Sequence, residues 1–261
     1  MRIAKLLPGG LAAGLAVALA AAPAAAQETG SVKGTFVLEG DAPVLAPRIE
    51  AGANVKDGAV CAANPVPNQT IVVDPDTKGL ANVFIWIRRV NERDIPAEFR
   101  KPKEPTVVID QKDCVFTPHC VVARTGQTLV MLNGDAVAHN VHVNAIRGDT
   151  INDLVAPNDR EGVRRELKKA DILPVPVTCD IHPWMKGHML VVDHPYAAVS
   201  GAQGQFEIVG LPPGKYDFML WHEAAGYLKG IDAVEKVEVK AGQPTDLGAL
   251  KVDVKDLDDV N

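Results

Sequence analysis

The sequence predicts an all-β protein made of two β-sandwich modules. Three observations carry this. The apolar residues come in short runs bounded by turn formers, 22 glycines and 19 prolines punctuate the 261-residue chain, and aromatic residues make up only 5% of it. Many short strands joined by tight turns have this composition. About 235 residues remain once an N-terminal leader is set aside, enough for two small β domains or one large one.

The leader is residues 1–26. Arg2 and Lys5 precede an Ala-rich apolar run ending in Ala24-Ala25-Ala26, which reads as a secretory signal cut before Gln27. Pro8, Gly9, Gly10 and Pro23 interrupt the run, so cleavage is favoured over a membrane span, and no later stretch is long enough to cross a bilayer. The mature protein is expected in a bacterial periplasm. Losing Arg2 and Lys5 takes the formal charge from −6 to −8. An acidic balance without a basic cluster argues against nucleic-acid binding.

Residues 27–105 form the N-terminal β segment. Gly30 to Gly40 alternates as a strand entering a turn at Asp41-Ala42-Pro43, residues 43–69 read as irregular, and Ile71-Val72-Val73 and Val83 to Ile87 read as strands. Pro96, Pro102 and Pro105 among charges mark residues 91–105 as an exposed connector. Residues 106–193 form a second unit, opening with the strand Thr106 to Asp110. Val121 to Arg124 and Thr128 to Asn133, split by Thr125-Gly126-Gln127, read as a β-hairpin. Asn133-Gly134-Asp135 is a turn signal before a strand carrying His139. Residues 148–170, with their charged run, read as a solvated loop or short helix. Pro174 to Thr178 then leads into Cys179.

The stretch Cys179-Asp180-Ile181-His182-Pro183-Trp184-Met185 places a thiol, an imidazole and a thioether within seven residues, spaced C-x2-H-x2-M. A His2Cys copper site with a weak axial Met needs these donors and one more imidazole. Ala138-His139-Asn140-Val141-His142 supplies candidates. His139 and His142 are three residues apart, so on a strand they point to opposite faces. Zinc is the competing metal, but Met suits it poorly and its structural sites prefer closed sets of Cys and His. A dinuclear copper centre needs a second Cys in this loop, and there is none.

The order of donors and their local context resemble the amicyanin branch of the blue-copper cupredoxins. The resemblance covers residues 106–193 and implies a Greek-key sandwich around one mononuclear type 1 copper. His139 and His182 would be the imidazole ligands, Cys179 the thiolate and Met185 the axial thioether, with Met189 the alternative thioether and His188 a second possible contact. Asn140 matches the family's residue that braces the ligand loop, and Thr178 could serve beside it. In that family the second His lies near the surface within an apolar docking patch. Pro183 and Trp184 would belong to such a patch, although Trp184 could instead be buried packing. The function implied is single-electron carrying between redox proteins, a dehydrogenase donor and a cytochrome acceptor, rather than catalysis. The alternatives are a copper-binding or storage protein and a carbohydrate- or protein-binding module.

Residues 194–261 contain Gly204-Gln205-Phe206 and Leu211-Pro212-Pro213-Gly214-Lys215-Tyr216. These resemble the G-x-F…LPPG-x-Y pattern of carboxypeptidase-regulatory-like, transthyretin-like sandwiches. That family's preceding strand pair has its likeness upstream, at Gly30–Gly34 and Ala81–Ile87. The expectation is one such sandwich with the copper domain inserted into it, the weaker alternative being three β segments in a row. With Cys179 given to the metal, Cys61, Cys114 and Cys120 remain for one disulfide and one thiol in an oxidising compartment. Cys61–Cys114 is the preferred pair, with Cys114–Cys120 and Cys61–Cys120 open.

Overall fold

The computed structural model describes residues 28–257, so the leader and its cleavage point lie outside the described residues. The first strands are β1 (Gly30–Glu39) and β2 (Phe84–Ile87). The middle of the chain forms β3 (Thr106–Lys112), β4 (Val115–Thr117), β5 (Cys120–Arg124), β6 (Thr128–Asn133), β7 (His139–Val143), β8 (Ile151–Val155), β9 (Val163–Glu166), β10 (Val175–Thr178) and β11 (Lys186–Val192). The remainder forms β12 (Ala197–Val199), β13 (Gln205–Leu211), β14 (Gly214–Tyr216), β15 (Phe218–His222), β16 (Gly226–Tyr227), β17 (Val237–Val239) and β18 (Pro244–Asp253). The fold is all-β. The helix among the described residues is a single turn, Gly58–Cys61, beside four short 3-10 turns.

Sheet order β4-β3-β6-β9 and sheet order β5-β11-β10-β7-β8 make one sandwich. Ile109, Leu129 and Met131 from the first sheet pack against Val141, Val177, Met189 and Val191 from the second. Sheet orders β13-β1-β18 and β12-β2-β15-β16 make another, closed by Phe36, Leu80, Ile85, Leu220 and Leu250. In it β1 pairs with both β13 and β18, and β2 with β12 and β15, so strands before and after the middle segment share sheets. The two sandwiches meet face to face through Phe84, Trp86 and Trp221 on one side and Cys120, Leu190 and Val192 on the other.

This stacking explains the continuous apolar runs. Met189 and Val191 of β11 face one core while Leu190 and Val192 face the contact between sandwiches. Likewise Ile85 and Ile87 of β2 face inward, and Phe84 and Trp86 face the neighbouring sheet. A strand buried on both sides has no polar face to alternate with.

Three expectations are corrected. β5 and β6 are not a hairpin. β5 runs parallel to β11 in one sheet and β6 parallel to β3 in the other, so the 125–127 link crosses between layers. Gly126, at φ 88°, turns there, and its N–H bonds to Leu167 O instead of across a hairpin. Residues 148–170 are not simply loop, because they contain β8 and β9. Both are edge strands, with mostly solvated side chains and no apolar run to betray them. Ile71-Val72-Val73 forms no strand and contributes only an isolated bridge from Val73 to Leu80.

Candidate metal centre

β7 lies between β10 and β8, and Thr178 pairs with His142 across β10 and β7. Cys179 therefore leaves the end of β10 beside the start of β7, where His139 sits. The loop then closes on itself. The Cys179 N–H donates to Met185 O at 3.3 Å and the Met185 N–H to His182 O at 2.9 Å. Asn140, next to His139, holds the same loop: its Oδ1 accepts from the Asp180 N–H at 2.8 Å and from Cys179 Sγ at 3.3 Å. His139, Cys179, His182 and Met185 are all buried.

One ligand atom each from His139, Cys179 and His182 lies within 4.8 Å of the others. The two imidazoles turn Nδ1 toward each other at 2.9 Å, and Cys179 Sγ is 3.9 Å from His182 Nδ1. Their outer nitrogens are tied off. His139 Nε2 is 3.0 Å from Asp135 Oδ2, and His182 Nε2 is 3.0 Å from Asp57 Oδ2. With both Nε2–H groups donating to carboxylates, both Nδ1 atoms present lone pairs to the same space. A shared proton or a metal cation relieves that repulsion. Carboxylates that orient the imidazoles in this way are the usual outer partners of metal-bound His.

The charges fit as well. Burial works against ionising Cys179, but hydrogen bonds from His139 and from backbone N–H groups outweigh it and hold the thiol below its ordinary pKa. Burial also opposes the His139 imidazolium, yet the bonds to Asp135 and Cys179 raise its pKa above the usual value. At His182 burial prevails over Asp57 and the pKa falls.

No family model matches the chain, and no curated protein matches it. Among solved structures it is similar to a copper-containing nitrite reductase from Thermus scotoductus SA-01, at 21% identity and TM-score 0.30 over 33% of this chain and 22% of that one. It is also similar to amicyanin from Paracoccus versutus, at 20% identity and TM-score 0.28 over 41% of this chain and 96% of that one. A purple cupredoxin from Nitrosopumilus maritimus matches at 19% identity and TM-score 0.27, over 34% and 99%. The chain thus spans about a fifth of the reductase. Whether its loop can hold a metal is decided by its own donor atoms.

The remaining expected residues fall as follows. Met185 lies inside the hydrogen-bonded loop. Met189 is three residues further along β11 than Lys186, about 10 Å at the rise of a strand, and packs in the core. Thr178 accepts from Asn144 Nδ2 at 3.1 Å, and no bond from it to Cys179 is present. His142 turns outward to Asp180 at 3.0 Å. Pro183 is exposed, while Trp184 is half-buried against the His182 ring with centroids 5.1 Å apart.

The His182 ring is 0% exposed and is covered by the partly exposed Asp57 carboxylate, rather than opening onto an apolar patch as the family resemblance implied. The segment read as irregular is the cause. It brings Asp57 over the imidazole, and Cys61, one turn later, is disulfide-bonded to Cys114. The Cys114 and Asp113 N–H groups both donate to Asp135 at 2.8 Å. The disulfide thus joins the two carboxylates that orient the two imidazoles. Sequence reading missed both. Asp135 was legible only as part of a turn signal, and Asp57 lies 125 residues from its partner.

Replacing Asn140 by Ala should cost about 1–3 kcal/mol, because the Asp180 N–H loses its acceptor in a part-buried site. Thermal unfolding of the metal-free protein reads this, and an unchanged midpoint would show that solvent replaces the amide.

Proposed function

We propose that the chain carries single electrons between redox proteins of the periplasm through one mononuclear copper ion held by Cys179, His139, His182 and Met185. The observation that carries this reading is the pair of Nδ1 atoms 2.9 Å apart, each imidazole fixed from behind by a carboxylate, beside a thiol whose ionisation is favoured. A thiolate, two imidazoles and a thioether are the soft and borderline donors that suit copper over zinc. When bound in such a set, copper supplies a one-electron couple. The chain's own residues hold the donors still. Asp135 and Asp57 fix the ring tautomers, Asn140 anchors the loop, and burial keeps bulk water from the donors.

The test is the visible spectrum of the purified protein with one equivalent of cupric ion. The wild type should show an intense sulfur-to-copper band, and Cys179→Ser should abolish it. A wild type with no such band would sink the proposal and leave a binding module. Several loosely held ions per chain, in place of one tight ion, would favour storage. A disulfide in the same sandwich fits an oxidising compartment.

The docking surface we propose is the rim at Pro183 and Trp184, where the exposed Pro183 and the half-buried Trp184 come nearest to His182. Small interfaces suit such encounters. Trp184→Ala should slow electron exchange with a cytochrome or dehydrogenase partner while leaving the copper band in place. Loss of the band would make Trp184 a support of the loop instead.

A further inference from the structure

A second cluster of donors lies where the two sandwiches meet. One ligand atom each from His119, Cys120, His188 and Glu223 lies within 4.8 Å of all the others. Cys120 opens β5 and is the register partner of His188 on β11, while His119 directly precedes it. Glu223 comes from the other sandwich, just after β15. The His119 and Glu223 side chains are each only 7% exposed and that of His188 14%. None of the four belongs to the loop described above.

The cluster is unsatisfied as it stands. His119 Nε2 meets Glu223 Oε1. His188 Nδ1 stands 3.9 Å from Glu223 Oε2, too far for a hydrogen bond, and is buried with no partner; His119 Nδ1 is also buried without one. Orphaned buried nitrogens cost free energy unless something fills the gap. Burial opposes charge on both the His188 imidazole and the Cys120 thiol. Two imidazoles, a carboxylate and a thiol facing one small space are the ligand types of a borderline divalent ion.

We propose that His119, Cys120, His188 and Glu223 form a second metal site, which binds a divalent transition ion of the zinc type and clamps the two sandwiches together. The ion takes the lone pair of His188 and displaces the Cys120 proton, which is released to solvent water, since a coordinating thiol is deprotonated. Thiolate and carboxylate together balance its two positive charges. A neutral loaded site is compatible with Arg48 and Lys186, which line the cleft of about 340 Å³ that reaches His188 and Glu223 from solvent. This proposal does not depend on copper in the other loop.

The experiment uses the mature chain carrying Cys179→Ser, which leaves the second cluster intact and Cys120 as its free thiol. Titration with cobaltous ion should show one tightly bound equivalent with a sulfur-to-cobalt absorption, displaced by zinc. Adding Cys120→Ser should remove that absorption. Glu223→Gln should weaken cobalt binding by about 100-fold, the upper end of what even outer partners of a ligand cost. Circular dichroism of the metal-free variants checks that they fold. The proposal is overturned if the Cys179→Ser chain takes up no cobalt, if the bound cobalt shows no sulfur absorption, or if that absorption survives Cys120→Ser. The first and second readouts need no substitution within the cluster, so a misfolded variant cannot rescue the idea.

Discussion

Replacing both Cys61 and Cys114 by serine should destabilise the protein by about 4 kcal/mol, roughly a thousandfold in the unfolding equilibrium, on the chain-entropy account of a loop of this size. The bond joins residues 53 apart in sequence and so closes a long loop in the unfolded chain. The consequence reaches further than stability. Cys61 ends the helical turn that begins beside Asp57, and the Cys114 N–H donates to Asp135. Without the bond, the carboxylate behind His182 and the carboxylate behind His139 are no longer tied to each other. Denaturant unfolding measures the first effect, and copper affinity of the still-folded double variant measures the second. A shift below about 1 kcal/mol would mean that the unfolded chain is already compact around these residues.

Asp135→Asn should lower copper affinity by about 100-fold with the fold retained, again the upper end of effects from residues behind a ligand. The side chain is nearly isosteric, and its Oδ1 can still accept from the Asp113 N–H, whereas the Cys114 N–H, which donates to Oδ2 at 2.8 Å in the parent, loses its acceptor at a cost of about 1–3 kcal/mol. What changes is the atom facing His139. An amide NH2 in place of the carboxylate oxygen donates to Nε2 and forces the proton of the neutral ring onto Nδ1. That is the nitrogen directed at His182, 2.9 Å away. A protonated Nδ1 has no lone pair to give. Copper titration followed in the visible decides the matter. Unchanged affinity together with an unchanged band would show that the amide flips and that Asp135 is a structural brace alone.

The sequence by itself determined the order of donors and the class of fold. Cys179, His182 and Met185 lie within one loop, and contiguous residues stay close however the chain packs. Strand period and turn residues made an all-β chain legible for the same local reason. Polar edge strands such as β8 and β9 were not legible, because a strand solvated along most of its length carries no apolar signal.

Only the tertiary structure decided which residues stand behind and above the donors. Asp57 reaches His182 across 125 residues, and its segment has no strand or helix pattern to announce it. That contact covers the imidazole, leaving it 0% exposed. His119, His188 and Glu223 are scattered in the chain and show no ligand spacing. They meet because β5 and β11 lie in one sheet and the end of β15 packs onto it from the other sandwich. Local sequence fixes the neighbours along a loop. Contacts between sheets depend on which faces bury together, and that is settled only when the layers stack.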